Sequence, residues 1–316
     1  MVMTEHEPTR APYPGRRALV RGAAGVVGAG GLAATVTVSS ASSIPMSAST
    51  DGRVPFHGAH QAGILTRQQP FGGFVAFDVL ARDRAELQAL FTKLTARCRA
   101  LTAGVTPKNP EVAALRDPQD RLTITVGVGA SLFDERYGLQ GARPPGLVNM
   151  PLFPGDRLGT AHPDTASKRE MNRLVWVGHE GPAWARGGSY QVLRIIGIHA
   201  EKWDRVPVAK QEQIFGRRKA TGAPLDGRKE SDLPDYGRDQ EGRITPLDSH
   251  IRRANPRTPE SENSILLRRS YNTDRGLTPD GTLDVGLIFC CYQRDIARQF
   301  ATVQKRLEGE RFADFS

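Results

Sequence analysis

Cysteine is scarce: Cys98, Cys290 and Cys291 are the only three in 316 residues. An odd number without framework spacing excludes a disulfide-stapled scaffold, and the absence of any C-x-x-C-H run excludes a cofactor attached through thioether bonds. Cys98 falls on a helical stretch and the other two on an apolar strand, which predicts buried thiols. Metal-ligand clusters are also lacking. His57 and His60 lie three apart with no neighbouring Cys, Asp or Glu to complete a coordination set, so polar packing of an amino-terminal arm is the expectation. His162, His179 and His199 show no pairing pattern. No hydrophobic run reaches the ~20 strongly apolar residues of a membrane span, since the uncharged stretch from Gly22 to Val38 is shorter and rich in glycine.

What is present is a chain with 39% hydrophobic residues, enough for one large core or two joined ones. Its net charge of +9 comes from arginines interleaved with acids rather than from a basic block, so no nucleic-acid partner is expected. The amino terminus is more specific. Gly15-Arg16-Arg17-Ala18-Leu19-Val20-Arg21 precedes the Gly/Ala/Val stretch and then a Ser/Thr/Pro-rich segment to about Thr50, which resembles a twin-arginine export signal. Cleavage after Ala41 or Ala48 is compatible with the small-residue triplets there. The expected location is the periplasm, the cell envelope or the exterior, with the folded part beginning near Pro55.

Along the body, residues 73–80 have strand length and residues 83–91 helical spacing with acids in the first turn. Residues 121–128 alternate at period two, and residues 131–137 begin a short helix. The pattern recurs: 190–199 predicts a strand, 208–215 a helix, 265–271 and 283–292 strands, and 296–311 an amphipathic helix. Two similar α+β units follow. The polar stretch 217–247 reads as a surface excursion.

The run Asp248-Ser249-His250-Ile251-Arg252-Arg253-Ala254-Asn255-Pro256-Arg257, with Leu266-Leu267-Arg268-Arg269 soon after, sets one histidine among arginines, predicted on strand. A neutral imidazole below a porphyrin iron and a fixed cation above it are what peroxide cleavage requires. On pattern alone an ordinary solvated loop remains open, and Asn-Pro-Arg reads as a turn. Taken with Pro55–Ile64, Gly187–Arg194, Gln211–Arg217 and Val303–Leu307, the run resembles the signature of Dyp-type (dye-decolourising) haem peroxidases, in particular the exported deferrochelatase/peroxidases of bacterial iron uptake.

That resemblance covers nearly all of the chain after residue 50. It implies two ferredoxin-like repeats, each strand-helix-strand-strand-helix-strand, with a signal and linker at 1–50, a first repeat at 51–156 and a second, haem-holding repeat at 157–316. It implies non-covalent haem b with His250 on the iron and Arg268 as the distal cation. Gly159, Thr160, Ala161, Asn255, Pro256 and Arg257 fall where the family's loops touch the porphyrin. Asp314 best fits the acid that hydrogen-bonds the proximal imidazole. Haem and hydrogen peroxide are the implied partners; iron-uptake membrane components and a homo-oligomer are further candidates.

Two departures stand out. After residue 156 the sequence jumps past a strand, helix and strand of the first repeat, and it stops where the family adds a closing strand, so both repeats are expected to be incomplete. The jump also places Leu158 where the family's Gly-x-x-Asp-Gly motif carries its proton-shuttling aspartate, and leucine cannot transfer a proton. Asp156 lies two residues away. Two functions follow: an exported haem enzyme that uses peroxide or releases iron from haem, and a non-catalytic haem binder or shortened remnant.

Overall fold

The computed structural model describes residues 53–69, 72–105, 121–144 and 162–315. The export signal, Asp156, Leu158 and Gly159–Ala161 lie outside them. In chain order the regular elements are α1 (Arg84–Thr102), α2 (Lys168–Leu174), β1 (Tyr190–Ile198), α3 (Ala200–Asp204), α4 (Val208–Phe215), α5 (His250–Ala254), β2 (Leu267–Arg268), β3 (Tyr271–Leu277), β4 (Leu283–Gln293) and α6 (Thr302–Leu307), with short 3-10 turns between. None of these helices is long and apolar enough to cross a membrane.

β4 organises the second half. Its apolar run Leu287-Ile288-Phe289-Cys290-Cys291-Tyr292 is what a strand covered on both faces requires. β1 pairs with it antiparallel from Tyr190↔Gln293 to Ile198↔Val285. β2 and β3 share its other edge, with Arg268 opposite Cys291 and Tyr271 opposite Ile288. One face packs Cys290 and Tyr292 against Ile64, Met171, Leu174 and Trp176. The opposite face packs Phe289 and Cys291 against Ile196, Leu266, Ile296 and Phe300. Leu174 is fully buried in the first cluster, and its truncation to Ala would cost about 2–5 kcal/mol. All three cysteines are buried and in no disulfide, and burial pushes the Cys98 and Cys290 thiols up.

The first half departs from its sequence pattern. α1 forms as expected, with the Asp83 side chain accepting from the Glu86 N–H at 2.8 Å. Residues 73–80 and 121–128 have no regular secondary structure and enter no strand ladder among the described residues. Side chains take the place of neighbouring strands: Gln61 donates to the Val126 carbonyl (3.1 Å) and accepts from its N–H (2.9 Å), while Tyr137 donates to Ala81 (2.7 Å). Val75, Phe77 and Leu80 are consequently left exposed.

Three further expectations change. His250 lies on α5, not on a strand, because Pro256 disfavours helical backbone at Asn255, which is extended (φ −140°), and so confines the segment to one helical turn and a half. Residues 265–271 supply only the two-residue β2 before β3 begins. The helix expected over 296–311 is a π turn at Ala297–Ala301 followed by α6, because buried Gln299 inserts its side chain to donate to Leu174 (2.9 Å) and Ile265 (2.7 Å) carbonyls. Nor is 217–247 a purely solvated excursion: Arg217, Tyr236, Asp239 and Thr245 are buried.

Candidate haem-binding site

α5 is fixed from three sides. Arg253 donates from Nε to the Arg306 carbonyl (2.7 Å) and from Nη2 to that of Glu308 (2.5 Å), capping the carboxyl end of α6. Arg252 donates to Thr245 O (2.8 Å), Asp239 O (2.7 Å) and Asp239 Oδ2 (3.2 Å). Its guanidinium also lies over the Tyr236 ring at 4.6 Å. The Asp239 carboxylate in turn accepts backbone N–H groups of Arg243, Ile244 and Thr245, which lower its pKa. Against the third side comes α4, which ends at Gly216 with φ +91°. A Cβ there would stand 2.6 Å from Ile251 Cγ1, so only glycine permits the approach.

Held this way, His250 is completely buried. Its Nδ1 meets Glu310 Oε2 at 2.7 Å, and the carboxylate is itself buried. Phe215 stacks on the ring at 5.2 Å and Phe312 meets its edge at 6.2 Å. Gly309, with φ +70°, turns the chain after α6 and brings Glu310 back to the imidazole. The expected partner, Asp314, is exposed instead, with its backbone carbonyl taken by Lys202. Sequence missed Glu310 because the acid sits just beyond a glycine turn whose direction no periodicity reveals.

Arg268 comes from β2. Burial pushes its guanidinium down to about 10, still far enough above neutrality to remain a cation. His162, the first residue after an undescribed segment, keeps solvent on one side. Packing around it and the charges of Arg268 and Arg269 push its imidazole down to about 3, so it is neutral at physiological pH.

A cavity of about 60 Å³ joins these elements, below the ~300–1,000 Å³ of cofactor-sized sites, so its lining rather than its volume speaks to the ligand. Ile251, Ala254 and Asn255 of the α5 segment form one wall, Leu266, Arg268 and Phe289 of the sheet another, and Phe300, Val303 and Leu307 a third. His250 is not itself in the lining, although its successors are. Arg257 also faces the cavity, and half-buried Pro256 lies between it and Asn255.

Two features fit a porphyrin. The walls are largely apolar, and on two of the lining residues Asn255 Nδ2 and Arg257 Nε are buried without a hydrogen-bond partner, as donors for a carboxylate would be. Asn255 Oδ1, by contrast, is satisfied by Arg257 N–H (3.0 Å) and Ser261 Oγ (2.8 Å), which aims the amide nitrogen outward from that turn. Arg257 also holds the positive φ of 60°, unique among non-glycine residues described here. His57 and His60 stand elsewhere: His57 accepts from Arg99, and His60 bonds the Gly187 carbonyl and stacks on Trp176 at 3.6 Å.

Comparison with known proteins places the chain in a family. The Dyp-type peroxidase N-terminal family model matches residues 61–165 and the C-terminal one residues 153–316. Deferrochelatase of Escherichia coli K12 is 40% identical over 387 aligned positions, covering 96% of this chain and 90% of that protein. The deferrochelatase of Shigella flexneri is 39% identical over 384, with the same coverage. Among solved structures, ferric DtpA from Streptomyces lividans superposes with a TM-score of 0.72 at 28% identity, covering 83% of this chain and 90% of that one. A DyP-type peroxidase from Cellulomonas bogoriensis gives 0.70 at 30% identity, covering 84% and 91%. With both halves matched and the near-full-length relatives of one kind, the chain belongs to the Dyp-type peroxidase family.

Proposed function

We propose that this protein is an exported, haem-dependent deferrochelatase/peroxidase. The observation that carries the reading is the buried His250–Glu310 pair on the helix that walls an apolar cavity, with the Arg268 cation on the sheet side. With Nδ1–H donating to the Glu310 carboxylate, a neutral imidazole would carry its lone pair on Nε2, the atom that would ligate iron, and the bond would increase its donor strength. Bound haem b would supply the redox-active iron at which hydrogen peroxide reacts. Arg268 would stabilise negative charge on a peroxide oxygen without gaining or losing a proton. Asn255 and Arg257, with Pro256 fixing the turn between them, would hold the porphyrin carboxylates, and Gly159, Thr160 and Ala161 would complete the contact from the segment before His162.

Export rests on the twin-arginine run at Arg16-Arg17, and the division at 50 and 156 on the repeat pattern. The alignments with deferrochelatases run over 387 positions, more than the 316 residues present, which supports interior segments being absent. The unladdered residues 73–80 and 121–128 support the same conclusion. These gaps, with Leu158 in the aspartate's place, favour a second reading: a haem binder without peroxidase turnover.

One titration separates the two. Ferric protoporphyrin IX is added to wild type and to His250→Ala, followed by peroxide and a phenolic dye, with free iron and intact porphyrin assayed. A His250-dependent Soret band with dye oxidation or iron release supports the enzyme. The band without either supports the binder, and no His250-dependent band refutes both.

A further inference from the structure

Tyr236 is buried to nine-tenths, lines the cavity, and its hydroxyl has no hydrogen-bond partner. A buried tyrosine ordinarily finds one, because stranding a hydroxyl away from water costs free energy that a partner would recover. The residue is held in place by its ring instead, under the Arg252 guanidinium at 4.6 Å. Two more buried donors without a partner, Asn255 Nδ2 and Arg257 Nε, belong to residues that line the same cavity. Three buried donors without an acceptor, on residues that line one largely apolar pocket, are what a ligand with several acceptor oxygens on an apolar body would satisfy.

We infer that Tyr236 is a specificity-determining residue that, with Asn255 and Arg257, selects porphyrins bearing free carboxylates over their neutral esters. The inference rests on the haem reading above and adds to it the group that is recognised and a residue outside the Asn-Pro-Arg turn. Burial pushes the Tyr236 phenol up to about 12, so it keeps its proton and acts as a donor at any physiological pH. A carboxylate would accept from it; an ester oxygen is a weaker acceptor and brings no charge to Arg257.

The test compares ferric protoporphyrin IX with its dimethyl ester, titrated by Soret absorbance into wild type and Tyr236→Phe, with thermal unfolding of both ligand-free proteins. Phenylalanine keeps the ring under Arg252 and deletes only the stranded hydroxyl. The ligand-free variant is therefore expected to be at least as stable as wild type, while its affinity for the free acid falls about tenfold and its affinity for the ester stays unchanged. A structural role for the hydroxyl would instead lower stability and weaken both porphyrins together. An unchanged acid-to-ester ratio in Tyr236→Phe overturns the inference while leaving the haem reading intact. Asn255→Ala provides a second variant expected to narrow the same ratio. Failure of wild type to bind either porphyrin overturns the inference and the haem reading together.

Discussion

Glu310→Gln removes one charge from the site while leaving an acceptor oxygen of nearly the same shape within reach of His250 Nδ1. The native bond is 2.7 Å long between two buried side chains, so it is little screened by solvent or salt. A hydrogen bond to a charged group contributes about 1.5–3 kcal/mol and a neutral one about 0.5–1.5, so the substitution should remove roughly 1–2 kcal/mol from the state that ligates iron. That corresponds to ferric porphyrin binding weaker by about 5- to 30-fold, which overlaps the 10- to 100-fold typical of losing a partner behind a metal ligand. The ferric–ferrous midpoint potential should rise in parallel, since a less electron-rich imidazole stabilises ferric iron less. Soret titration and spectroelectrochemistry read the two effects. Asp314→Asn is the control, because that carboxylate is exposed while Glu310 holds the ring. A Glu310→Gln protein within about twofold of wild type, or an Asp314→Asn protein that is the one to change, would refute this account.

Arg268→Ala should retain His250-dependent porphyrin binding while peroxide-driven dye oxidation falls by about 100-fold or more; stopped-flow rates within tenfold of wild type would remove Arg268 from the chemistry. Glu180 is held at about 2 by paired bonds from Arg294 Nε and Nη2, both 2.6 Å, but it is half exposed, so Glu180→Gln should cost no more than about 1 kcal/mol. Because its folded pKa lies below the ordinary 4.5, that contribution is present at neutral pH and fades as pH falls towards 2; melting curves of wild type and variant still separated at pH 2 would contradict the assignment. At Arg257, whose φ of 60° disfavours any Cβ, Arg257→Gly should be more stable than Arg257→Ala by about 1 kcal/mol while both lose porphyrin affinity equally. Chemical denaturation tests the first half and titration the second.

How far the site was legible depended on whether its determinants were local. The elements that formed as expected, α1, β1, α4 and β4, each carry their period within a single run. His250, Arg268, Asn255 and Arg257 emerged from a contiguous signature, and the structure brings α5, the Asn-Pro-Arg turn and β2 around one cavity. What did not emerge depends on distant partners. Glu310 reaches His250 across 60 residues by way of a glycine turn. Tyr236 and Asp239 sit in a polar stretch whose composition says surface, yet buried Arg252 draws both inward through cation–π and hydrogen-bond contacts. Strand pairing was the weakest inference, because alternation at residues 121–128 reports which faces differ, not whether a neighbour is there to close the ladder.

The distribution of unsatisfied groups also bears on whether this chain binds a ligand. Around His250 the carboxylate partner is in place, so the imidazole is oriented before any ligand arrives. On residues of the cavity lining the reverse holds: Tyr236 OH, Asn255 Nδ2 and Arg257 Nε lack partners and Arg257 sits in a disfavoured backbone region. Each of these costs stability in the ligand-free protein, and each could be silenced by a single substitution such as Tyr236→Phe or Arg257→Gly. Their coincidence on residues that line one cavity, beside the His250–Glu310 pair, is what the proposed binding of a carboxylate-bearing porphyrin would explain.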